Sequence, residues 1–163
     1  MDTFRSSSTT SATPEGLFAA LTTTAGVRGW WTTTCEVASE VGGAIHLRFG
    51  DTRKELRVVS LVPGREVRWR CVAAHIAAPG LGRRDEWVGT EMVFRLAPEG
   101  VAGTRLDFEH VGLAPALECF TLCVQGWRHF LASLIRYAET GRGTPYEPAP
   151  GAACQSAQQE ARP

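Results

Sequence analysis

Residues 103–141 read GTRLDFEHVGLAPALECFTLCVQGWRHFLASLIRYAETG and join an alternating strand to a long amphipathic helix. Leu106, Phe108 and His110 share one face of the strand, because side chains alternate across a strand with a period of two. The apolar residues of the helix recur at steps of three and four and form one stripe. They are Leu117, Phe120, Val124, Trp127, Leu131, Leu134 and Ala138. Both apolar faces need a partner, and a curved sheet that closes on the helix would leave a cavity between them.

The composition indicates one soluble domain. The chain has 163 residues, 44% of them hydrophobic and 21% charged, with a formal net charge of +0, which does not favour a nucleic-acid partner. No apolar run approaches the ~20 residues that span a bilayer, and the first residues lack the regions of a signal peptide. We therefore expect no membrane span and a cytoplasmic location.

The cysteines are interpreted as reduced thiols. Five of them, at positions 35, 71, 119, 123 and 154, form no CxxC pair. Cys119 and Cys123 lie four residues apart on one face of the helix, where they could share a metal. Zinc sites take four ligands, and no His or Cys cluster completes this one. We expect neither a metal nor another cofactor.

The first third of the chain predicts a strand and a helix. Residues 3–10 are rich in Ser and Thr and predict a first strand, although their apolar alternation is poor. Thr13-Pro14-Glu15 is typical of a helix start, with Thr as the cap and Pro at the first helical position. Two adjacent tryptophans cannot point the same way on a regular element. We therefore expect one of Trp30 and Trp31 in the core and the other at an edge.

The middle of the chain predicts a meander of short strands separated by turn residues. The predicted strands are Ala44 to Phe49, Arg53 to Val62, Glu66 to Ala73, Glu86 to Leu96 and Thr104 to His110. Residues 74–84 contain Gly and Pro without periodicity and predict a mobile loop. The helix is predicted from near Pro115 to Gly141. The domain is thus expected to cover residues 1–144, and residues 145–163, rich in Pro, Ala and Gln, to form a disordered tail.

Strand parity selects a candidate ligand-binding wall that is mostly apolar, with few polar groups, as in most small-molecule sites. Its members are Trp69, Cys71, Val88, Thr90, Met92, Phe94, Phe108, His110, Phe120, Val124, Trp127 and Leu131. A solid core requires the same pattern, so the residues alone leave both interpretations open.

Two polar residues are candidates for catalysis. His110 lies on the apolar face at a strand end, where it could bind a ligand or act as an acid or base, or be a neutral core histidine. Glu86 lies near the loop mouth, where it could supply a carboxylate or face solvent. His75 lies in the predicted loop and could gate an entrance. The sequence contains no GxSxG, HExxH, P-loop or Rossmann glycine pattern, which excludes those enzyme classes.

One hairpin carries most of the basic residues. They are Arg53, Lys54, Arg57, Arg65, Arg68 and Arg70. Trp69 could suggest base stacking between Arg68 and Arg70, but parity places it on the opposite face from them. We therefore expect a solvated outer face partly paired with acidic residues.

Four short motifs carry a family resemblance. They are Pro14 to Leu21 followed by Trp30-Trp31; Gly42-Gly43 opening a strand; Gly103-Thr104-Arg105-Leu106 leading to His110; and Gly126-Trp127 followed by Leu131, Leu134 and Tyr137 to Gly141. Their order resembles the helix-grip fold of the START-like (SRPBCC) superfamily, in the branch named for the activator of Hsp90 ATPase. The resemblance implies an α+β fold in which an antiparallel sheet of six or seven strands wraps a long C-terminal helix, with two small helices and an apolar cavity.

The resemblance also implies a class of function. Members bind lipids, sterols, polyketides or other hydrophobic molecules, and some are cyclases or aromatases. We expect binding of a hydrophobic small molecule (lipid, polyketide or aromatic compound) by a monomer or homodimer. One alternative is a cyclase- or aromatase-like reaction in the same cavity with His110 and Glu86. Another is a co-chaperone or other protein-interaction module without a ligand.

Overall fold

A computed structural model describes residues 2–101 and 103–148 of the chain. Its strands are β1 (Thr3–Thr10), β2 (Thr34–Val37), β3 (Ala44–Phe49), β4 (Thr52–Val62), β5 (Glu66–His75), β6 (Glu91–Glu99) and β7 (Gly103–Val111). Its helices are α1 (Pro14–Thr22), α2 (Thr24–Trp30) and α3 (Phe120–Thr140). The predicted helix-grip α+β fold is confirmed.

The strands form one antiparallel sheet in the order β1-β7-β6-β5-β4-β3-β2. The Ser/Thr-rich β1 is confirmed at one edge, where it pairs with β7 from Thr3↔Val111 to Thr10↔Thr104. Its weak apolar alternation is tolerated because an edge strand has one neighbour and its polar side chains meet acidic partners. Ser7 donates to Asp107 at 2.5 Å, and Arg5 lies 3.1 Å from Glu109.

Helix α3 packs its apolar stripe against the inner face of the sheet. Trp127, Leu131 and Leu134 are buried on it, and Gly141 ends it in the left-handed conformation with φ of 84°. This glycine C-cap matches the predicted end. The predicted start near Pro115 is wrong, because residues 115–119 form turns and the helix begins at Phe120.

Strand β6 also begins later than predicted, at Glu91 rather than Glu86. A turn precedes it, in which the amide of Val88 donates to the carbonyl of Asp85 at 3.0 Å and that of Thr90 to Trp87 at 2.9 Å. The two-residue period therefore does not extend back through the turn. Val88, predicted to face inward, is 48% exposed, whereas Trp87 is buried.

Both adjacent tryptophans lie in the core, so the prediction of one at an edge is wrong. Trp30 ends α2, and Trp31 follows with φ of −108° and ψ of −65°, outside regular helix geometry. This departure lets the two indoles stack with centroids 5.0 Å apart and an interplanar angle of 5°. Thr13 caps α1 as predicted, accepting from the amide of Gly16 at 3.0 Å.

The predicted tail contains a residue that belongs to the fold. Tyr146 forms a parallel bridge with Thr32. Its amide donates to the carbonyl of Trp31 at 2.9 Å, and its carbonyl accepts from the amide of Thr33 at 3.0 Å. Residues 149–163 of the predicted tail lie outside the described residues. None of the helices in the described ranges is long and apolar enough to cross a membrane.

Candidate ligand-binding site

A pocket of about 230 Å³ lies between the first turns of α3, the β3–β4 hairpin and the loop that precedes β6. Its lining residues are Trp31, Phe49, Thr52, Lys54, Ile76, Trp87, Leu122, Cys123, Gly126, Trp127, Phe130 and Tyr146. It opens to solvent beside Leu122, which is 45% exposed. Of the wall predicted from the sequence, only Trp127 borders this pocket.

The aromatic rings of the predicted wall pack against one another. The centroids of Trp69 and Phe94 are 5.0 Å apart, those of Phe94 and Phe108 are 4.9 Å apart, and those of Phe108 and Trp127 are 4.4 Å apart. These edge-to-face and tilted contacts are the favoured geometries of aromatic pairs. Cys71, Thr90, Met92, His110, Val124 and Leu131 are buried around them, and Phe120 is half-buried. The four rings are thus in contact with one another between β5–β7 and α3, and of these four only Trp127 borders the aromatic pocket.

His110 is held in a hydrogen-bonded chain that links three elements. The Trp127 indole Nε1 donates to His110 Nδ1 at 2.9 Å, and His110 Nε2 lies 2.8 Å from Thr90 Oγ1. The Thr90 hydroxyl donates to the carbonyl of Trp87 at 2.7 Å, so it accepts from His110. The imidazole is therefore neutral, with its proton on Nε2, and both ring nitrogens have partners.

The surroundings of His110 keep it neutral over the whole physiological range. Burial, with a smaller contribution from the charge of Lys54, lowers its pKa to about 3. The Trp87 ring meets the imidazole edge-on at 4.6 Å. The Nδ1 lone pair of His110 accepts from Trp127. His110 thus has the hydrogen bonds of a neutral core histidine, which is the alternative to a catalytic acid or base.

Glu86 ties the loop to the start of α3. Its carboxylate accepts from the amides of Glu118 at 3.2 Å and Cys119 at 3.1 Å. In return, the carboxylate of Glu118 accepts from the amides of Gly82 and Arg83. Cys119, the N-cap residue, makes no side-chain cap of its own. Glu86 therefore satisfies amides at the positive end of the helix, where a carboxylate is stabilising.

Lys54 is the functional candidate that sequence reasoning missed. It is the only lysine of the chain, and its Nζ lies 3.4 Å from the Trp87 ring centroid and 5.4 Å from that of Phe49. The charge of Lys54 predicts a position among the solvated basic residues of the hairpin. Its parity with Leu56 and Val58, both buried, is the signal that predicts the inward direction.

The arginines of the hairpin behave as predicted. Arg57 pairs with Glu55 at 3.1 Å, and Arg68 and Arg70 pair with Glu91 at 3.0 and 2.6 Å. No described Asp or Glu side chain lies within 4.0 Å of the Lys54 ammonium, and no described residue forms a hydrogen bond with it. Burial lowers the pKa of Lys54 to about 8, partly offset by the nearby thiols of Cys123, Cys71 and Cys119.

The thiols beside the pocket are unequal. The interaction between the two neighbouring thiols lowers the pKa of Cys123 and raises that of Cys119. The charge of Lys54 and the Trp87 Nε1 donor, 3.1 Å from Cys123 Sγ, also favour the thiolate of Cys123. The described cysteines are free, as predicted. No group of three or more metal-ligating side chains occurs in residues 2–101 and 103–148.

Replacing Lys54 with methionine should stabilise the protein. The folded-state pKa lies below the unfolded value, so at pH 7 folding must bury a charged group that water would solvate better. We expect Lys54→Met to raise the free energy of unfolding by about 1–3 kcal/mol at pH 7, and the gain to shrink as the pH rises from 8 to 10.5. Urea denaturation at several pH values measures this. An equal or lower stability would show that the ring contacts fully compensate the buried charge.

A second depression of about 560 Å³ lies beside strands β2 to β5, and Lys54 borders it as well as the aromatic pocket. Arg28, Arg48, Arg53, His46 and His75 line it together with Glu36 and Glu55. His75, predicted either to gate the entrance or to face water, is the last residue of β5 and borders this groove rather than the aromatic pocket. Its mixed charges are those of a solvated sheet face.

The chain was compared with known proteins. The family described as Activator of Hsp90 ATPase homolog 1-like protein matches residues 11–139. No protein of curated function matches the sequence. The Aha1 dimer from Colwellia psychrerythraea superimposes with a TM-score of 0.74 at 29% identity, covering 88% of this chain and 100% of that one. That protein is a dimer, in keeping with the monomer or homodimer expected from the sequence.

Two more distant structures share the fold. DynU16, from the dynemicin biosynthetic locus, aligns with a TM-score of 0.65 at 20% identity over 88% of this chain and 49% of its own. CalU16 from Micromonospora echinospora aligns with a TM-score of 0.64 at 18% identity over 87% of this chain and 76% of its own. The matched range and the fold agree. The chain belongs to the Activator of Hsp90 ATPase homolog 1-like family.

Proposed function

We propose that this protein binds a small aromatic molecule in the pocket beside Lys54. The observation that carries the proposal is the lining, in which six aromatic side chains surround one charged group. Pockets for small molecules combine such apolar walls with a few polar groups that fix orientation. The family includes binders of hydrophobic molecules, and one structural neighbour comes from a biosynthetic locus, which supports this class of ligand.

The pocket is kept open by a glycine in α3. Gly126 lies one residue before Trp127, and a Cβ built on it would meet nothing within 4 Å. Glycine weakens a helix interior by about 0.5–1 kcal/mol relative to alanine. Gly126 lowers helix stability and leaves free space at the pocket wall, which is consistent with a requirement for that space.

Filling this space tests the proposal. We expect Gly126→Leu to weaken binding of the neutral fluorescent probe N-phenyl-1-naphthylamine at least about tenfold, because the leucine side chain would occupy the pocket. Gly126→Ala is the matched control. It should bind within about twofold of wild type and raise the free energy of unfolding by about 0.5–1 kcal/mol through helix propensity.

Native mass spectrometry of the purified protein complements the titration, because a co-purifying ligand should be lost from Gly126→Leu and kept by Gly126→Ala. Equal probe affinity in folded Gly126→Leu and wild type would contradict the proposed site. Binding lost equally in both variants would show that the helix backbone, not the space, controls affinity.

The enzymatic alternative has less support than binding. His110 has both nitrogens occupied, and Glu86 accepts two backbone amides at the helix start. A reaction in the aromatic pocket would depend on Lys54 or Cys123, the ionisable groups that line it together with Tyr146. The interaction-module alternative predicts no probe binding at all, so the same titration separates it.

A further inference from the structure

The ammonium of Lys54 has no carboxylate partner and no hydrogen bond in the part of the chain that the structure describes. Every other basic side chain of β4 and β5 is at the outer face, and three of these arginines form ion pairs with Glu55 or Glu91. A cation buried without a partner is costly, so such groups are normally paired. The ring faces of Trp87 and Phe49 give only part of this compensation.

The groups around Lys54 supply no carboxylate, and the thiolate of Cys123, which Lys54 favours, interacts with the ammonium through charge alone. The nearby thiols belong to Cys71 on β5 and to Cys119 and Cys123 at the start of α3, and none forms a hydrogen bond with the ammonium. Glu86 faces the amides of residues 118 and 119. Thr52 accepts from the amide of Ala77 at 2.9 Å. The ammonium therefore borders the pocket with donors to spare.

Resting on the proposed function, we propose that the ligand is an aromatic carboxylate whose carboxylate group pairs with Lys54 while its ring system lies among the aromatic side chains. The juxtaposition of an unpaired ammonium with six ring-bearing residues on one pocket fits a molecule with one negative end and a flat apolar body. A desolvated ammonium–carboxylate contact is stronger than the same contact in water. The same lysine thus sets both the orientation and the charge of the ligand.

A matched pair of probes tests this ligand class. The probes are 2-naphthoate and its neutral analogue 2-naphthamide, titrated by calorimetry at pH 7. We expect wild type to prefer naphthoate by about tenfold or more, which corresponds to one strong ionic contact. Lys54→Met should reduce the ratio of the two affinities to about twofold or less, whatever its effect on the affinity for naphthamide.

Two further variants test whether the preference for naphthoate depends on a positive charge and on the position of that charge. Lys54→Arg retains the cation and should retain a preference for naphthoate. Arg53→Met removes the neighbouring charge on β4, which is exposed and does not line the aromatic pocket, and should leave both affinities unchanged. A preference that survives in Lys54→Met, or that disappears in Arg53→Met, would overturn the assignment to Lys54.

The outcomes also distinguish this inference from the proposed function. Equal binding of the two probes by wild type, abolished by Gly126→Leu, would leave the aromatic pocket as the site and refute the carboxylate. Binding of neither probe to wild type at millimolar concentration would refute both. Binding of naphthoate unaffected by Gly126→Leu would place the anion elsewhere and refute the inference alone.

Discussion

Trp127→Ala should lower the free energy of unfolding by about 3–5 kcal/mol, the range for removing a buried aromatic side chain. Trp127 is 2% exposed. Its ring lies 4.4 Å from that of Phe108, 5.3 Å from Trp31 and 5.9 Å from Trp87. The substitution removes contacts to β7, to the segment after α2 and to the turn before β6 together. It also leaves the Nδ1 of His110 without its donor, which adds the cost of an unsatisfied buried acceptor.

Two further variants separate the contributions to this loss of stability. Trp127→Phe keeps an aromatic ring but removes the donor to His110. We expect it to lower the free energy of unfolding by about 1–3 kcal/mol, because a buried nitrogen loses its partner and the ring is smaller. Leu122→Ala lies on the same helix at an exposed position and should change stability by less than about 1 kcal/mol. Chemical denaturation followed by far-ultraviolet circular dichroism gives all three values. A loss in Trp127→Ala no larger than that in Leu122→Ala would show that Trp127 is not part of the packed core.

Acidification should destabilise the protein through His110. Its pKa is about 3 in the folded state, against 6.5 for the ordinary imidazole, so the unfolded chain binds a proton first as the pH falls. The stabilising contribution of the neutral His110 is fully present above pH 6.5 and is lost as the pH falls towards 3. We expect a loss of about 2 kcal/mol between pH 8 and pH 5, approaching a slope of 1.4 kcal/mol per pH unit.

Measuring above pH 5 isolates this histidine from the carboxylates. The pKa values of Glu91 and Asp107 are lowered by hydrogen bonds and charge, so these groups contribute at lower pH. His110→Gln should bring the slope close to zero between pH 6.5 and pH 5, below the pKa values of Lys54 and Cys123, whatever its effect on absolute stability. His46→Gln, at an exposed site on β3, is the control and should keep the wild-type slope. An unchanged slope in His110→Gln would assign the acid sensitivity to other groups.

The strand and helix of residues 103–141 could be predicted because their periodicity is local. Leu106, Phe108 and Trp127 face the core as alternation and helical spacing require. The start of β6 could not be predicted in the same way. The turn before it depends on hydrogen bonds from Val88 and Thr90 that carry no periodic signal, so the pattern was extended too far.

The location of the pocket could not be predicted from apolarity at all. Trp69, Phe94 and Phe108 have the same pattern whether they enclose a cavity or fill it, and the outcome depends on rotamers chosen together on separate strands. Lys54 was missed for a different reason. Its charge predicts an outward side chain, whereas strand alternation predicts an inward one. In the structure the side chain points inward, and its ammonium lies beside Trp87. Tyr146 was missed because its Pro-rich neighbours have the composition of a tail.

All five tryptophans belong to one connected group of indoles. Trp30 and Trp69 stack on Trp31, which contacts Trp127, and Trp127 stacks on Trp87. Trp31, Trp87 and Trp127 also border the pocket. Indoles at these separations share their electronic excitation, so the near-ultraviolet circular dichroism should show paired bands of opposite sign rather than five independent ones. A ligand inserted beside these rings would alter that coupling, and the protein thereby reports the occupancy of its own pocket without any label.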